Sequence, residues 1–158
     1  MGRTGGGSLG KGRVLGVDHT AGFASVGPLE SCVLNECLRQ IESNVIGQLA
    51  VTQAFLPLLR EYGKARIVFT SSIGGRIAAP FIGPYAASKH ALNGMAESLR
   101  RELKPFGMGV SVLAPATVST PIWDKAGDQI DDLVASLPPS AIELYGGTIE
   151  SMRSTRSK

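Results

Sequence analysis

Between Leu34 and Tyr62 apolar residues recur at Leu38, Ile41, Val45, Leu49, Ala54, Phe55, Leu58 and Leu59. That spacing predicts one long amphipathic helix, with Gly63 as its stop. Ala65 to Thr70 is a short run centred on Ile67, Val68 and Phe69, the pattern of a buried parallel strand. Gly74, Gly75, Pro80, Gly83 and Pro84 mark residues 71–84 as a loop. Tyr85 to Lys104 reads as a second long helix with a small-residue face of Ala86, Ala87, Ala91, Met95 and Ala96, closed by Gly107. Val110 to Leu113 predicts another strand, followed by a loop opening at Pro115, and Arg13 to Val17 a short first strand. Strands alternating with helices imply an α/β fold around a parallel sheet. The expected organisation is a flexible glycine-rich leader over 1–12, a domain over 13–137, and an irregular or disordered tail over 138–158, broken at Pro138-Pro139.

At 158 residues and 43% hydrophobic composition the chain has material for one domain. The net charge of +3 owes much to the ends, where Arg3, Lys11, Arg13, Arg153, Arg156 and Lys158 lie. No basic stripe with interleaved aromatics occurs, so nucleic acid is not an expected partner. Cys32 and Cys37 stand five apart without a second pair, which predicts free thiols in a reducing compartment and no metal site. With no apolar run of about 18 residues and no apolar signal core, neither a membrane span nor secretion is expected, and the default location is cytoplasmic. Gly5 to Lys11 fits a phosphate-loop spacing, but Gly12 replaces the required Ser or Thr and no strand precedes it.

The chemistry concentrates at Tyr85-Ala86-Ala87-Ser88-Lys89. Residues four apart share a helix face, so the Lys89 ammonium would sit beside the Tyr85 phenol and favour its anion. Such a phenol suits proton transfer near neutral pH. Ser72, thirteen residues before Tyr85, follows the predicted strand and would offer a hydroxyl to a carbonyl oxygen. Tyr and Lys at this spacing also describe an ordinary surface pair, so the motif carries weight only in combination. His90 points about 100° away from Lys89 and receives no role. His19 has no ligating or basic partner in the sequence and reads as a solvent-facing side chain.

The combination resembles the short-chain dehydrogenase/reductase family from about Ala21 to Lys125. Ile67 to Ser72 is similar to the family's strand ending in the catalytic serine, and Tyr85 and Lys89 match its Tyr-x-x-x-Lys. Glu42 to Gly47 resembles the segment carrying the catalytic asparagine, here Asn44. Ala21-Gly22 resembles the end of an Asn-Asn-Ala-Gly segment, with His19 and Thr20 in place of the asparagines. Pro115 to Thr120 resembles the Pro-Gly segment beside the nicotinamide, with Ala116 replacing glycine. The resemblance implies a partial Rossmann-like, doubly wound parallel sheet, with about three strands and two long helices retained. It implies NAD or NADP as cofactor and reversible hydride transfer to or from an alcohol or carbonyl. Tyr85 would be the general acid/base, Lys89 its partner and a holder of the nicotinamide ribose, Ser72 the carbonyl-orienting residue and Asn44 a support of the proton relay. Ala21, Gly22, Tyr85, Lys89, Pro115, Val118 and Thr120 would border the cofactor. Phe81, Ile82, Ile122 and Trp123 hint at a lipophilic substrate, and helices 35–62 and 85–104 resemble the family's surfaces for homo- or hetero-oligomers.

The family's glycine-rich cofactor loop has no counterpart. Fewer than twenty residues precede Ala21-Gly22 after the leader's Thr4-Gly5, whereas one βαβ unit takes about 30. The expectation is a chain incomplete in its cofactor-binding half and at its C-terminus, binding cofactor weakly or not at all. Two other readings stand beside the enzyme: a non-catalytic module that pairs with full-length relatives, and a truncated product without function.

Overall fold

The computed structural model describes residues 14–116, 134–135 and 137–156, with side chains up to 151. Its centre is a three-stranded parallel sheet of β1 (Gly16–His19), β2 (Arg66–Thr70) and β3 (Gly109–Leu113), in the order β1-β2-β3. Ile67 lies opposite Val17 on one side and Val110 on the other. This register aligns the inward positions, and Ile67 and Phe69 are fully buried while Arg66 is exposed.

The first crossover consists of α1 (Leu34–Ile41), a wide π-type turn (Glu42–Ile46) and α2 (Gly47–Tyr62). Helical dihedrals persist through both junctions, so the three pieces make the single long helix that the periodicity predicts. Gly63 ends it in the left-handed conformation, its N–H bonded to Leu59 O. The second crossover is α3 (Gly83–Leu103), with Pro84 in its first turn, where a missing N–H costs nothing. Leu59 of α2 and Leu92, Ala96 and Leu99 of α3 close over Ile67 and Phe69 as one apolar core. The chain is thus α/β, a partial Rossmann-like fold with both crossover helices on one sheet face among the described residues.

Several expectations change. The first strand is Gly16–His19, set by pairing with Arg66–Phe69, rather than residues 13–17. The tail is not irregular: α4 (Pro139–Arg156) starts at the second proline, which opens a helix as readily as it breaks one. Leu137, Ala141, Tyr145 and Ile149, four apart, form a second small core with Val26 and Phe81. Cys32 and Cys37 are joined as a disulfide, not free, because the first turn of α1 folds Cys37 back towards Cys32. His19 is buried rather than solvent-facing, its ring stacked on Phe69 with centroids 4.7 Å apart. The leader, Val118, Thr120, Ile122 and Trp123 lie outside the described residues. Among the described residues no helix is long and apolar enough to cross a membrane, and no cluster of His, Cys, Asp or Glu could hold a metal.

Candidate active site

The sequence-predicted residues meet at the carboxyl end of the sheet, where open α/β sheets place their sites. Ser72 leaves β2 in an extended conformation and starts a 3-10 turn, Ile73–Gly75. Its Oγ accepts a hydrogen bond from Gly74 N at 3.1 Å, which leaves its own O–H as a donor. The loop is tied down on α3: Ser71 Oγ donates to Lys89 O at 3.4 Å and Asn93 Nδ2 to Gly75 O at 2.9 Å. Glycine is required for so close a seat. A Cβ on Gly75 would lie 2.7 Å from Asn93 Nδ2 and 2.8 Å from Ser71 Oγ. One on Gly74 would lie 3.3 Å from Tyr85 Cε1 and 3.5 Å from Ser72 Oγ, so the edge of the tyrosine ring and the serine hydroxyl both lie close to that residue. Pro115 joins them, its carbonyl accepting from Ile73 N at 2.9 Å.

Tyr85 and Lys89 occupy one face of the first turns of α3, 4% and 5% exposed. The Lys89 ammonium donates to Thr70 O at 2.9 Å and lies 5.7 Å from the centre of the Tyr85 ring. Burial lowers the Lys89 pKa to about 8, since desolvation disfavours the charged form. The amine therefore remains mostly charged at neutral pH and titrates close to it.

Asn44 sits in the π-type turn and is wholly buried. Its Nδ2 donates to Phe23 O at 2.9 Å and to Ser88 Oγ at 3.0 Å, while its Oδ1 accepts from Phe23 N at 3.0 Å. Ser88 passes the connection to α3 by donating to Tyr85 O at 2.7 Å. Gly22 lies over this junction, and a Cβ there would be 3.1 Å from Asn44 Oδ1 and 3.7 Å from Lys89 Nζ. Ala21 is held through its carbonyl, which accepts from Gln48 Nε2 at 2.9 Å. Ser72, Tyr85, Lys89, Asn44, Ala21, Gly22 and Pro115 are thus brought together. His90 is spent on its own helix, Nδ1 bonding to Ala86 O at 2.8 Å.

Sequence reasoning passed over Ser88, Gln40, Gln48 and Thr52, and it misplaced His19. All five are buried and hydrogen-bonded at this end of the molecule. A signal existed: Gln40, Asn44, Gln48 and Thr52 stand four apart on a helix whose remaining inward positions are apolar.

The residues that could hold the nicotinamide end of a dinucleotide are Gly22, with its side-chain-free surface, Lys89 and Tyr85. Among the described residues no Gly-x-x-x-Gly-x-Gly turn, the family's usual pyrophosphate seat, joins a strand to a helix.

Comparison with known proteins agrees with the geometry. Residues 10–131 match the profile of the short chain dehydrogenase family. The chain is 42% identical over 108 residues to the uncharacterized oxidoreductase YusZ of Bacillus subtilis, covering 68% of this chain and 39% of that protein. It is 37% identical over 115 residues to human 17-beta-hydroxysteroid dehydrogenase type 1, covering 73% and 35%. A crystallised short chain dehydrogenase from Burkholderia cenocepacia in complex with NADP superposes with a TM-score of 0.67 at 28% identity, over 80% of this chain and 49% of that one. The chain therefore spans under half the length of these relatives. With its family profile matched over more than half its residues, it belongs to the short-chain dehydrogenase family.

Proposed function

We propose that the chain carries the catalytic half of an NAD(P)-dependent oxidoreductase that interconverts an alcohol and a carbonyl. The observation that carries this reading is the closeness of both the Ser72 hydroxyl and the Tyr85 ring to Gly74, with the Lys89 ammonium 5.7 Å from the ring centre. In the reductive direction the substrate oxygen accepts hydrogen bonds from Ser72 and Tyr85, which withdraw charge from the carbonyl carbon. Tyr85 gives its phenolic proton to that oxygen, and Lys89 stabilises the negative charge left behind. Asn44 and Ser88 fix the start of α3, so the phenol is positioned before substrate arrives. Bound NAD(P) supplies the hydride. Ala21, Gly22, Lys89 and Pro115 would hold its nicotinamide end, with Val118 and Thr120 beyond them.

A lipophilic substrate is favoured by the steroid named for the human relative; Phe81, in the loop leading to Tyr85, is itself packed against Val26 and Tyr145 in the second small core. Exposed Leu38, Val51 and Leu58 on the 35–62 helix, with the small exposed residues Ala87, Ala91 and Gly94 on α3, make these two helices the proposed surface for oligomers.

The test is reduction of a panel of lipophilic ketones by the purified chain with millimolar NADH or NADPH. Turnover that disappears in Tyr85→Phe is expected; turnover unchanged in that variant overturns the assignment. Titration calorimetry separates the cofactor question. Weak binding is expected of the nicotinamide contacts alone, and micromolar affinity would show that a pyrophosphate seat exists elsewhere in the chain.

A further inference from the structure

Four residues spaced four apart, Gln40, Asn44, Gln48 and Thr52, run down the inner side of the first long helix, and all are at most 3% exposed. Each bonds a residue of the strand end opposite, in reverse order. His19 Nε2 meets Thr52 Oγ1 at 2.9 Å, Ala21 O accepts from Gln48, and Phe23 meets both Asn44 and Gln40, the latter at 2.8 Å. Four residues of an α-helix advance about 6 Å, so successive members of the row reach successive points of the chain leaving β1 until Asn44 and Gln40 share Phe23. Residues four apart on an α-helix drift by roughly 40° per step, and the wide turn at Glu42–Ile46 sets the row back.

Proton bookkeeping fixes every partner. Backbone carbonyls only accept, so Gln40 and Gln48 present their amide nitrogens. The Thr52 hydroxyl donates to Gln48 O at 2.9 Å, so it accepts from His19, which carries its proton on Nε2. The arrangement is not the most stabilising one: Gln40 Oε1 and Gln48 Oε1 are buried without a hydrogen-bond partner, and such orphans are destabilising. What the polar row provides is a fixed height for Ala21–Phe23 over the Lys89 amine.

We propose that Gln40, Gln48, Thr52 and His19 are positioning residues that, with Asn44 at their centre, register the Ala21–Phe23 segment against Lys89 and so set that amine's exposure to water. The proposal rests on Lys89 being the working amine of the proposed function, but its test needs neither cofactor nor turnover. The test is NMR titration of the Lys89 side chain and hydrogen exchange of the Phe23 amide in Thr52→Val and Gln48→Met, which keep volume and lose the bonds. Expected are Phe23 exchange at least about tenfold faster than the change in global stability accounts for, and a Lys89 titration that moves up from about 8 towards the ordinary lysine value. Thr52→Ser, which restores the hydroxyl, should restore both. Leu59→Ala, which loosens the same helix at its apolar end, should move neither. If Gln48→Met does not fold, Thr52→Val carries the test alone. A folded Thr52→Val with both readouts unchanged, or a Leu59→Ala that shifts Lys89 equally, overturns the proposal. Absence of ketone turnover bears only on the oxidoreductase reading.

Discussion

The two ends of the helix layer are built on opposite principles. Towards the amino ends of the strands, α2 and α3 meet the sheet through Leu59, Leu99, Leu103, Met108 and Val110, where no side chain needs a hydrogen bond. Towards the carboxyl ends the same helices bury Asn44, Gln48, Thr52, Tyr85, Ser88 and Lys89. Apolar burial is insensitive to direction and tolerates repacking, so it provides stability. Buried polar groups cost stability unless they are partnered, and the bonds they make are directional, so they provide position instead. One pair of helices thus serves as an anchor at one end and as an instrument at the other.

The sharpest way to break this comparison is to remove one atom or one ring from each end. Tyr85→Phe deletes only the phenolic oxygen, and a positioned acid/base contributes about 10²- to 10⁴-fold in rate. The expected outcome is a loss of turnover of that size, with a thermal midpoint close to the parent. Phe69→Ala empties the middle of the apolar layer, where Phe69 is fully buried. It should cost about 3–5 kcal/mol of unfolding free energy in urea titrations. Phe69 also carries the stacked His19 ring, so this variant should loosen the polar end as well. If Phe69→Ala were nearly neutral in stability, or Tyr85→Phe unfolded the protein, the division between the ends would not hold.

The apolar end was legible in the sequence almost residue by residue. Period-2 and period-3.6 patterns are written by apolar burial, and they located β2, β3 and both long helices within a few residues. The candidate site residues Ser72, Tyr85 and Lys89 could be proposed from their own chemistry, and Asn44 from the resemblance alone. What escaped were groups whose meaning is relational. Gln48 is an ordinary helix residue until Ala21 O is placed beside it. His19 read as solvent-facing because the sequence offers it no partner, yet strand alternation turns Asp18 outward and His19 inward. Cys32 and Cys37 pair through a turn that spacing alone does not specify. The helix after Pro139 was hidden because the apolar side chains it packs on, Val26 and Phe81, belong to distant loops.

A smaller effect is expected from pH at the polar end, through Lys89. Its folded-state pKa, lowered to about 8 by burial, lies well below the ordinary lysine value. Turnover that relies on the ammonium should therefore decline above about pH 8, approaching tenfold per pH unit. The stability contribution of the same group moves the other way. Below pH 8 both folded and unfolded chains hold the proton and the burial penalty is complete. Between about 8 and 10.4 the unfolded chain binds more protons than the folded one, so stability rises with pH. Opposed trends in rate and in urea midpoint from pH 7.5 to 9.5, the stability trend absent in Lys89→Met, are the expected result. Parallel trends would exclude Lys89 as their common source.

The smallest effect isolates the polar row itself. His19 has its pKa lowered, chiefly because burial penalises the imidazolium, with Asp18 acting weakly in the opposite sense. A folded-state pKa below the unfolded value of about 6.5 means that the unfolded chain takes up protons first as pH falls. The contribution of His19 to stability is therefore complete above about pH 6.5 and shrinks as acid drives the imidazole to charge. Protonation leaves the Nε2–H bond to Thr52 intact and places charge against the Phe69 ring, so the loss should be gradual rather than a collapse. Thermal midpoints measured from pH 7.5 to 5.5 should fall in the parent and fall less in His19→Gln, whose amide can still donate to Thr52. Identical slopes in the two proteins would locate the acid sensitivity elsewhere and show that the row is held by its hydrogen bonds without regard to the charge state of its first member.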